Sequence, residues 1–414
     1  MAEEKLGLKD LITKINKNAG HITISRASVV KGMDVPRIST GIFAIDQACG
    51  GVPYGRITGI FGKKSSCKSS VCLKTIASAQ QYCRNHMVRC VETGKRLYRC
   101  PECGFRGDKE GDVCPDCEER DMKSVLIDRG DMAVACPVCK KYDPMITAWL
   151  DLEASWLNKW SSAMGVNCHN VYVIRPDSAE QAIDIAESLL YTKEVDILVI
   201  DTLAHLTPSV EIEESLFKNQ MGLQARLINK SLRKLVTAIE SVGVNRQQKV
   251  TIIALNQVRM KLGILFGDPE TKPGGMGQDF ATSLDLKFWP GKYAMDKIGN
   301  TDSLAVNFKV VKNKVSRPNQ QGNFRFWVRD VDNYHCGDTD ELGVVIGFAF
   351  KSGLLGEAGK WGYGDKKFKT KEELIQYIAT DQKIFREIRN KLNDMPLGTI
   401  VSDEESLKIK DDDE

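Results

Sequence analysis

The sequence predicts an α/β fold organised around a nucleotide-binding loop, and three stretches predict it. Val195 and Ile197–Ile200 form an apolar run long enough for a strand buried on both faces, and it ends on Asp201. A carboxylate at the C-terminal tip of such a strand is where a nucleotide-binding sheet holds Mg²⁺. A second run, Arg56–Phe61, leads into GKKSSCKSS, Gly62–Ser70, and then an apolar stretch from Val71. Strand, glycine loop, Lys-Ser and helix are the setting of a phosphate-binding Walker A loop. A third apolar strand, Ile252–Asn256, is followed by Gln257.

Composition bounds the possibilities. At 414 residues the chain is too long for one compact core, and 42% hydrophobic with 27% charged residues is the balance of a soluble globular protein. No apolar run approaches the roughly 18 residues of a membrane span, and MAEEKLGLKD lacks a signal peptide's apolar core. A cytoplasmic protein with no membrane association is therefore expected. The net charge of +3 conceals an asymmetry: Ser402–Glu414 holds seven acidic residues against Lys408 and Lys410, which leaves +8 on residues 1–401. A basic body with an acidic tail fits a nucleic-acid binder, while a solvated, disordered tail is the plain alternative.

Along the chain, Leu8, Leu11, Ile12 and Ile15 recur at helical spacing, so residues 5–18 read as an amphipathic helix that must pack on something. In the Walker segment, the backbone of Gly62, Lys63, Lys64, Ser65, Ser66 and Cys67, with the helix start at Lys68, Ser69 and Ser70, would cradle the phosphates of ATP. Lys68 would neutralise β and γ charge, and Ser69 would join Asp201 on Mg²⁺. Cys67 departs from the pattern G-x-x-x-x-G-K-[ST], which has a glycine there; a Cβ at that point strains the loop or crowds the nucleotide.

A cysteine-rich segment of about sixty residues, roughly Arg84 to Pro144, follows. Thirteen cysteines in a chain of this class argue against a disulfide framework, and six of them form three Cys-x-x-Cys pairs. Cys100, Cys103, Cys114 and Cys117 have the spacing of a compact zinc ribbon, with Gly104 letting the first knuckle close. A segment this small lacks the core to fold alone, so Zn²⁺ would supply much of its stability. The redox reading of Cys-x-x-Cys lacks a surrounding βαβ pattern. Cys136 and Cys139 form a third knuckle: it pairs with Cys90 and His86, replaces another knuckle, or carries no metal. DNA contact, partner contact and scaffolding are all open uses for this segment.

Ala148–Leu152 form another strand, which carries Asp151 and leads to Glu153. Two later segments, Glu211–Gln220 and Val258–Lys272, have little reason to be ordered alone. The second and its exit carry Arg259, Lys261 and Lys272 around Phe266, with Gly263, Gly267, Gly274 and Gly275. Cations, one aromatic and glycine freedom suit a loop that grips a phosphate backbone and wedges between bases.

The motifs PSVEIEE…MGLQAR and NQVRMKLGILFGDPET resemble the first and second DNA loops of the RecA family of DNA strand-exchange recombinases, of bacterial or phage type. The resemblance runs from about Leu6 to Leu392 and implies that the cysteine-rich segment, roughly Arg84 to Pro144, is an insertion where the family has only a short connection. It implies a RecA-like P-loop ATPase core that forms filaments on single-stranded DNA and exchanges strands with a duplex. It further implies that Glu153 activates the attacking water, with Asp151 as the neighbouring alternative, and that Gln257 senses the γ-phosphate. Met221 and Arg226 would belong to the first DNA loop. Trp160 would stack on adenine, unless it is an ordinary packed tryptophan. Lys312 and Lys314 would reach the ATP of the next subunit; cations at i and i+2 of a strand share a face, although a solvated edge has the same pattern. The N-terminal helix would dock on that neighbouring subunit, the alternative being its own core.

The implied organisation is an oligomerisation segment 1–34, an ATPase core 35–335 containing the zinc-binding insertion 84–145, a DNA-binding lobe 340–395 and an acidic tail 396–414. Within the lobe, one helix is expected over Glu372–Leu392, preceded by a lysine cluster that meets duplex DNA or is merely solvated. Two other functions compete: a branch-migration ATPase or helicase on the same fold, and an ATP-binding DNA scaffold with weak hydrolysis, motivated by Cys67.

Overall fold

The computed structural model describes residues 7–19, 35–118, 125–192, 194–213, 222–245, 249–260, 270–275, 277–356 and 361–395. At its centre lies one sheet of eight strands: β1 (Ile57–Gly62), β2 (Thr147–Asp151), β3 (Val171–Ile174), β4 (Ile197–Asp201), β5 (Thr251–Gln257), β6 (Leu284–Met295), β7 (Thr301–Asn313) and β8 (Gln321–Trp327). Their order across the sheet is β8-β7-β6-β1-β5-β4-β2-β3. Strands β6 through β3 run parallel, and β7 and β8 extend the β6 edge antiparallel.

The helices used below are α1 (Leu8–Ala19), α2 (Lys68–Ala79), α3 (Asn158–Ala163), α4 (Ala179–Tyr191), α5 (Leu223–Asn245), α6 (Gly277–Ala281), α7 (Glu341–Lys351), α8 (Lys371–Thr380) and α9 (Gln382–Asp394), with others such as Phe43–Cys49 between them. Side-chain alternation along the strands sorts the core into two layers. Ile60, Ile197, Val199, Ile253 and Leu255 pack with Val71, Leu73 and Ile76 of α2, whereas Leu198, Ile200, Ile252 and Ala254 pack with α4 and α5. Strands covered on both faces must be apolar at every position, which is why β4 and β5 stand out in the sequence. The parallel order also places the C-terminal tips of β1, β2, β4 and β5 together, where such sheets bind ligands.

The C-terminal lobe has its own cluster, including Val345, Ile346, Leu374, Ile378, Ile388 and Leu392. Here the expectation of one helix over 372–392 is corrected: Asp381 separates α8 from α9. Its carboxylate accepts the Lys383 and Ile384 backbone N–H groups, an N-cap that starts a new helix instead of continuing the old one. At the other end, α1 leaves its apolar stripe uncovered, with Leu8 74% and Leu11 42% exposed.

The insertion folds as a three-stranded sheet, Val91–Arg99 between Arg106–Gly107 and Ile127–Ala135. It is docked on the core. Arg99 Nη1 donates to the Ser162 carbonyl (3.0 Å), Ser162 Oγ to the Cys100 carbonyl (3.1 Å), and the Cys168 N–H to the Cys103 carbonyl (3.1 Å). Among the described residues, no helix is long and apolar enough to cross a membrane.

Candidate functional site

The loop after β1 is shaped by close backbone approach. A Cβ on Gly62 would collide with the Phe288 carbonyl, so only glycine fits. Ser66 Oγ and Lys68 Nζ both donate to the Lys63 carbonyl, each at 2.7 Å, which folds the loop over the start of α2. Cys67 precedes that helix with φ 58°, the left-handed region in which the motif's glycine is at ease. The cysteine is accommodated, with its side chain against the core. Burial pushes its thiol up to about 12, so it stays protonated and unreactive at neutral pH.

This geometry makes a prediction. Cys67→Gly should stay within about 1 kcal/mol of wild-type stability, since relief of the left-handed penalty offsets glycine's added unfolded-state entropy, and should still bind ATP. Cys67→Val should lose about tenfold in ATP affinity, because a β-branched residue tolerates positive φ worst. Thermal melts with fluorescence titration of a nucleotide analogue read both; equal affinity in the two variants would contradict the argument.

Opposite the loop stand carboxylates from β2 and β4, and they differ in use. Asp151, with a side chain 0% exposed, accepts the Ser155 and Trp156 backbone N–H groups (2.8 and 3.2 Å) and the Arg175 Nε (3.1 Å). It is consumed by structure. Glu153, with a side chain 28% exposed, reaches into the cleft, where its Oε1 accepts Thr202 Oγ1 (3.2 Å) and Gln257 Nε2 (3.1 Å) and lies 3.1 Å from His205 Nδ1. His205 went unnoticed in the sequence; its place one turn beyond the tip of β4 is the signal that would have found it.

Asp201 fits a Mg²⁺ ligand. Its Oδ2 accepts Ser69 Oγ at 3.4 Å, while its buried Oδ1 has no hydrogen-bond partner among the described residues. Burial, then the nearby charges of Glu153 and Asp151, push its carboxyl up to about 7. An oxygen-only donor set with uncompensated negative charge suits a hard divalent cation. Lys68 is drawn below its ordinary value by burial, against the pull of Glu153 and Asp201.

The segment that follows Gln257 connects directly to this site. Arg259–Met260 pairs antiparallel with Glu270–Thr271, while Lys261 and Phe266 lie outside the described residues, as does Met221. Glu270 bridges Lys63 of the phosphate loop (3.2 Å) and Lys287 of β6 (2.8 Å), a link absent from sequence expectation. Lys272 has partners already: Asp279 at 2.5 Å, Asp285 at 3.3 Å and the Phe61 ring at 4.5 Å. Gly274 and Gly275, both with positive φ, pack against Ile228, Ala225 and Asn229 of α5, the helix whose first turns carry exposed Arg226. The turn at Gly274–Gly275 therefore meets the first turns of α5.

Three other expected residues stand apart from the phosphate loop's own contacts. Trp160, half-buried on α3, holds its ring 6.4 Å from Phe326. Lys312 donates to the carbonyls of Thr282 (2.6 Å) and Asp279, and Lys314 to that of Phe280 (3.2 Å), so both cations close the end of α6. In the insertion, all four sulfurs of Cys100, Cys103, Cys114 and Cys117 are buried within 4.8 Å of one another, Cys100–Cys117 at 3.6 Å and Cys103–Cys114 at 3.7 Å. A tetrahedral zinc with bonds of about 2.3 Å spaces its sulfurs by roughly that much.

Comparison with known proteins gives a consistent result. A family model for the RecA N-terminal domain matches residues 7–94 and 132–330, leaving a gap within the insertion. Protein RecA of Staphylococcus epidermidis is 30% identical, the match covering 99% of this chain and 97% of that protein. Those of Aquifex aeolicus and Teredinibacter turnerae are each 29% identical, covering 95% and 96% of this chain and 94% and 95% of theirs.

Proposed function

Because this chain belongs to the RecA family of ATP-dependent DNA recombinases, we propose that its β-strand tips form a DNA-stimulated ATPase driving strand exchange within a filament. Family membership implies ATP, Mg²⁺, DNA binding and self-assembly; the roles of particular residues are our reading. The observation that carries it is the contact of Gln257 with Glu153, at the joint between the nucleotide cleft and the second DNA segment.

In this reading the backbone of residues 62–70 holds the phosphates, and Lys68 sets its charge against the β and γ oxygens. Ser69 and Asp201 would hold Mg²⁺, which when bound supplies further neutralisation of phosphate charge. Glu153 takes the proton of the attacking water at a carboxylate oxygen, held toward the cleft by Thr202 and Gln257. Gln257 and the Lys63–Glu270 pair couple the cleft to the DNA segment that starts at Val258. Single-stranded DNA would lie across Arg226, Arg259, Lys261, Phe266 and the turn at Gly274–Gly275, with Met221 beside it; Lys272 would join only by leaving its acidic partners. The half-buried Trp160 would offer its open face to adenine. Uncovered Leu8 and Leu11 on α1 favour docking on the next subunit. Residues 340–395 would meet duplex DNA, and the cytoplasm is the expected compartment.

The deciding experiment measures ATP hydrolysis with and without single-stranded DNA, alongside exchange of a labelled homologous strand. Stimulation of about tenfold or more with exchange is expected; hydrolysis without exchange would favour the branch-migration reading, and binding without hydrolysis the scaffold.

Zinc would close the four-cysteine site, leaving no open coordination position and hence a structural role. Cys114→Ser with Cys117→Ser should release one zinc per chain and loosen the ribbon's hold on α3. Turnover should remain within about threefold, since Lys68, Glu153 and Gln257 stand on or beside core strands; the smaller cost belongs in KM if Trp160 shifts. Elemental analysis and steady-state kinetics read this, and complete loss of turnover in a folded variant would place the ribbon in the catalytic machinery.

A further inference from the structure

A second group of metal donors lies at the base of the insertion. Cys83 and His86 follow the end of α2, and Cys136 and Cys139 precede β2. Their ligand atoms all fall within 4.8 Å of one another. Cys83 Sγ is 3.3 Å from His86 Nδ1 and 4.0 Å from Cys139 Sγ, and Cys136 Sγ is 3.6 Å from the same ring nitrogen. An ion with bonds of about 2.3 Å to sulfur and about 2.0 Å to nitrogen spaces tetrahedral ligands by roughly 3.5–3.8 Å. Cys90, one of the partners the sequence leaves open for this knuckle, packs in the same cluster but is outside this donor set.

The backbone points the same way. In the Cys100-x-x-Cys103 knuckle, the Gly104 N–H donates to the Cys100 carbonyl at 3.0 Å, with Gly104 at φ 77°. Cys136-x-x-Cys139 repeats this turn, the Lys140 N–H donating to the Cys136 carbonyl at 2.9 Å with Lys140 at φ 61°. So does Cys83-x-x-His86, with Met87 donating to the Cys83 carbonyl at 2.8 Å at φ 53°. Only the first turn has glycine at the left-handed position. Lysine and methionine adopt that conformation at a steric cost. A metal gripping both ends of each knuckle supplies the restraint. The Val138 N–H also donates to Cys136 Sγ at 3.4 Å, the kind of contact that orients a metal-bound thiolate.

We propose that Cys83, His86, Cys136 and Cys139 form a second zinc site that clasps the insertion where it leaves and rejoins the core. The limbs already touch there: the Arg84 N–H donates to the Asp143 carbonyl at 3.0 Å, and Cys83 bridges to Pro144. Binding would displace the three thiol protons to solvent and leave no open coordination position, so the site is structural. Its ligands are disjoint from those of the four-cysteine site, so each claim can fail without the other.

The test counts zinc in the full-length chain purified with reductant and without chelator. Two zinc ions per chain are expected; His86→Ala should leave one, while Cys90→Ser should keep both. His86→Cys should also keep both, and with Co²⁺ in place of zinc it should gain sulfur-to-metal absorption as a fourth thiolate joins the site. If His86→Ala does not fold, the Co²⁺ spectrum of His86→Cys decides. A zinc content unchanged by His86→Ala, or a Co²⁺ spectrum unchanged by His86→Cys, overturns the proposal. A content unchanged by Cys114→Ser with Cys117→Ser would instead overturn the four-cysteine site.

Discussion

Glu153→Gln should bind ATP as the wild type does and turn it over about 10²- to 10⁴-fold more slowly, the range a general base contributes. The substitution keeps the side chain's size and an oxygen that accepts Thr202 Oγ1, so the cleft and its link to β4 persist. What disappears is the capacity to take a proton. Lys68→Ala should behave oppositely and lose nucleotide binding itself, because Lys68 is the cation set between the phosphate loop and the Glu153–Asp201 pair. Asp151 provides the internal control. Asp151→Asn should lower stability, since it weakens a buried acceptor of two backbone N–H groups and Arg175. It should leave the chemistry of the folded fraction largely intact. Nucleotide titration, single-turnover hydrolysis and thermal melts on the three variants separate these outcomes. Full turnover in Glu153→Gln with loss in folded Asp151→Asn would reverse the assignment.

The contrast between those carboxylates marks how far the sequence could be read. Strands β4 and β5 were legible because burial on both faces forces an unbroken apolar run, and the phosphate loop because its glycine, lysine and serine act locally. Glu153 and Asp151 are two residues apart, and nothing in their spacing says which turns inward to Arg175. That depends on β3, whose neighbour in the sheet is β2. Long-range partners were invisible for the same reason: Glu270 with Lys63, Lys272 with Asp285, and Cys83 with Cys139 are set by strand order and by loops closing over many residues. The break at Asp381 was readable locally and was outweighed by the continuous apolar stripe from Leu374 to Leu392, on which both helices pack.

Lys312→Ala, or Lys314→Ala, should lower ATP turnover by about 10²-fold or more, while nucleotide binding to the subunit's own phosphate loop stays unchanged. The register of the sheet carries this expectation. Lys312 pairs with Asp285, which pairs with Gly59, three residues before Gly62 and two strands across. At about 3.3 Å per residue and 4.8 Å per strand, the Lys312 backbone sits about 14 Å from the start of the phosphate loop, beyond a lysine's reach. Its ammonium is also held by the carbonyls that end α6, where Lys314 joins it. Burial and the Lys314 charge draw Lys312 below its ordinary value, so an approaching polyphosphate would relieve a cost that the single chain bears. These lysines therefore suit the ATP of a neighbour. Mixing Lys312→Ala with Lys68→Ala should restore part of the activity, because some interfaces then combine an intact phosphate loop with an intact lysine pair. Co-assembly is checked by light scattering on single-stranded DNA and hydrolysis by phosphate release. Zero recovery across all mixing ratios, with both variants folded and assembled, would mean that the lysines act elsewhere and that each subunit completes its own site.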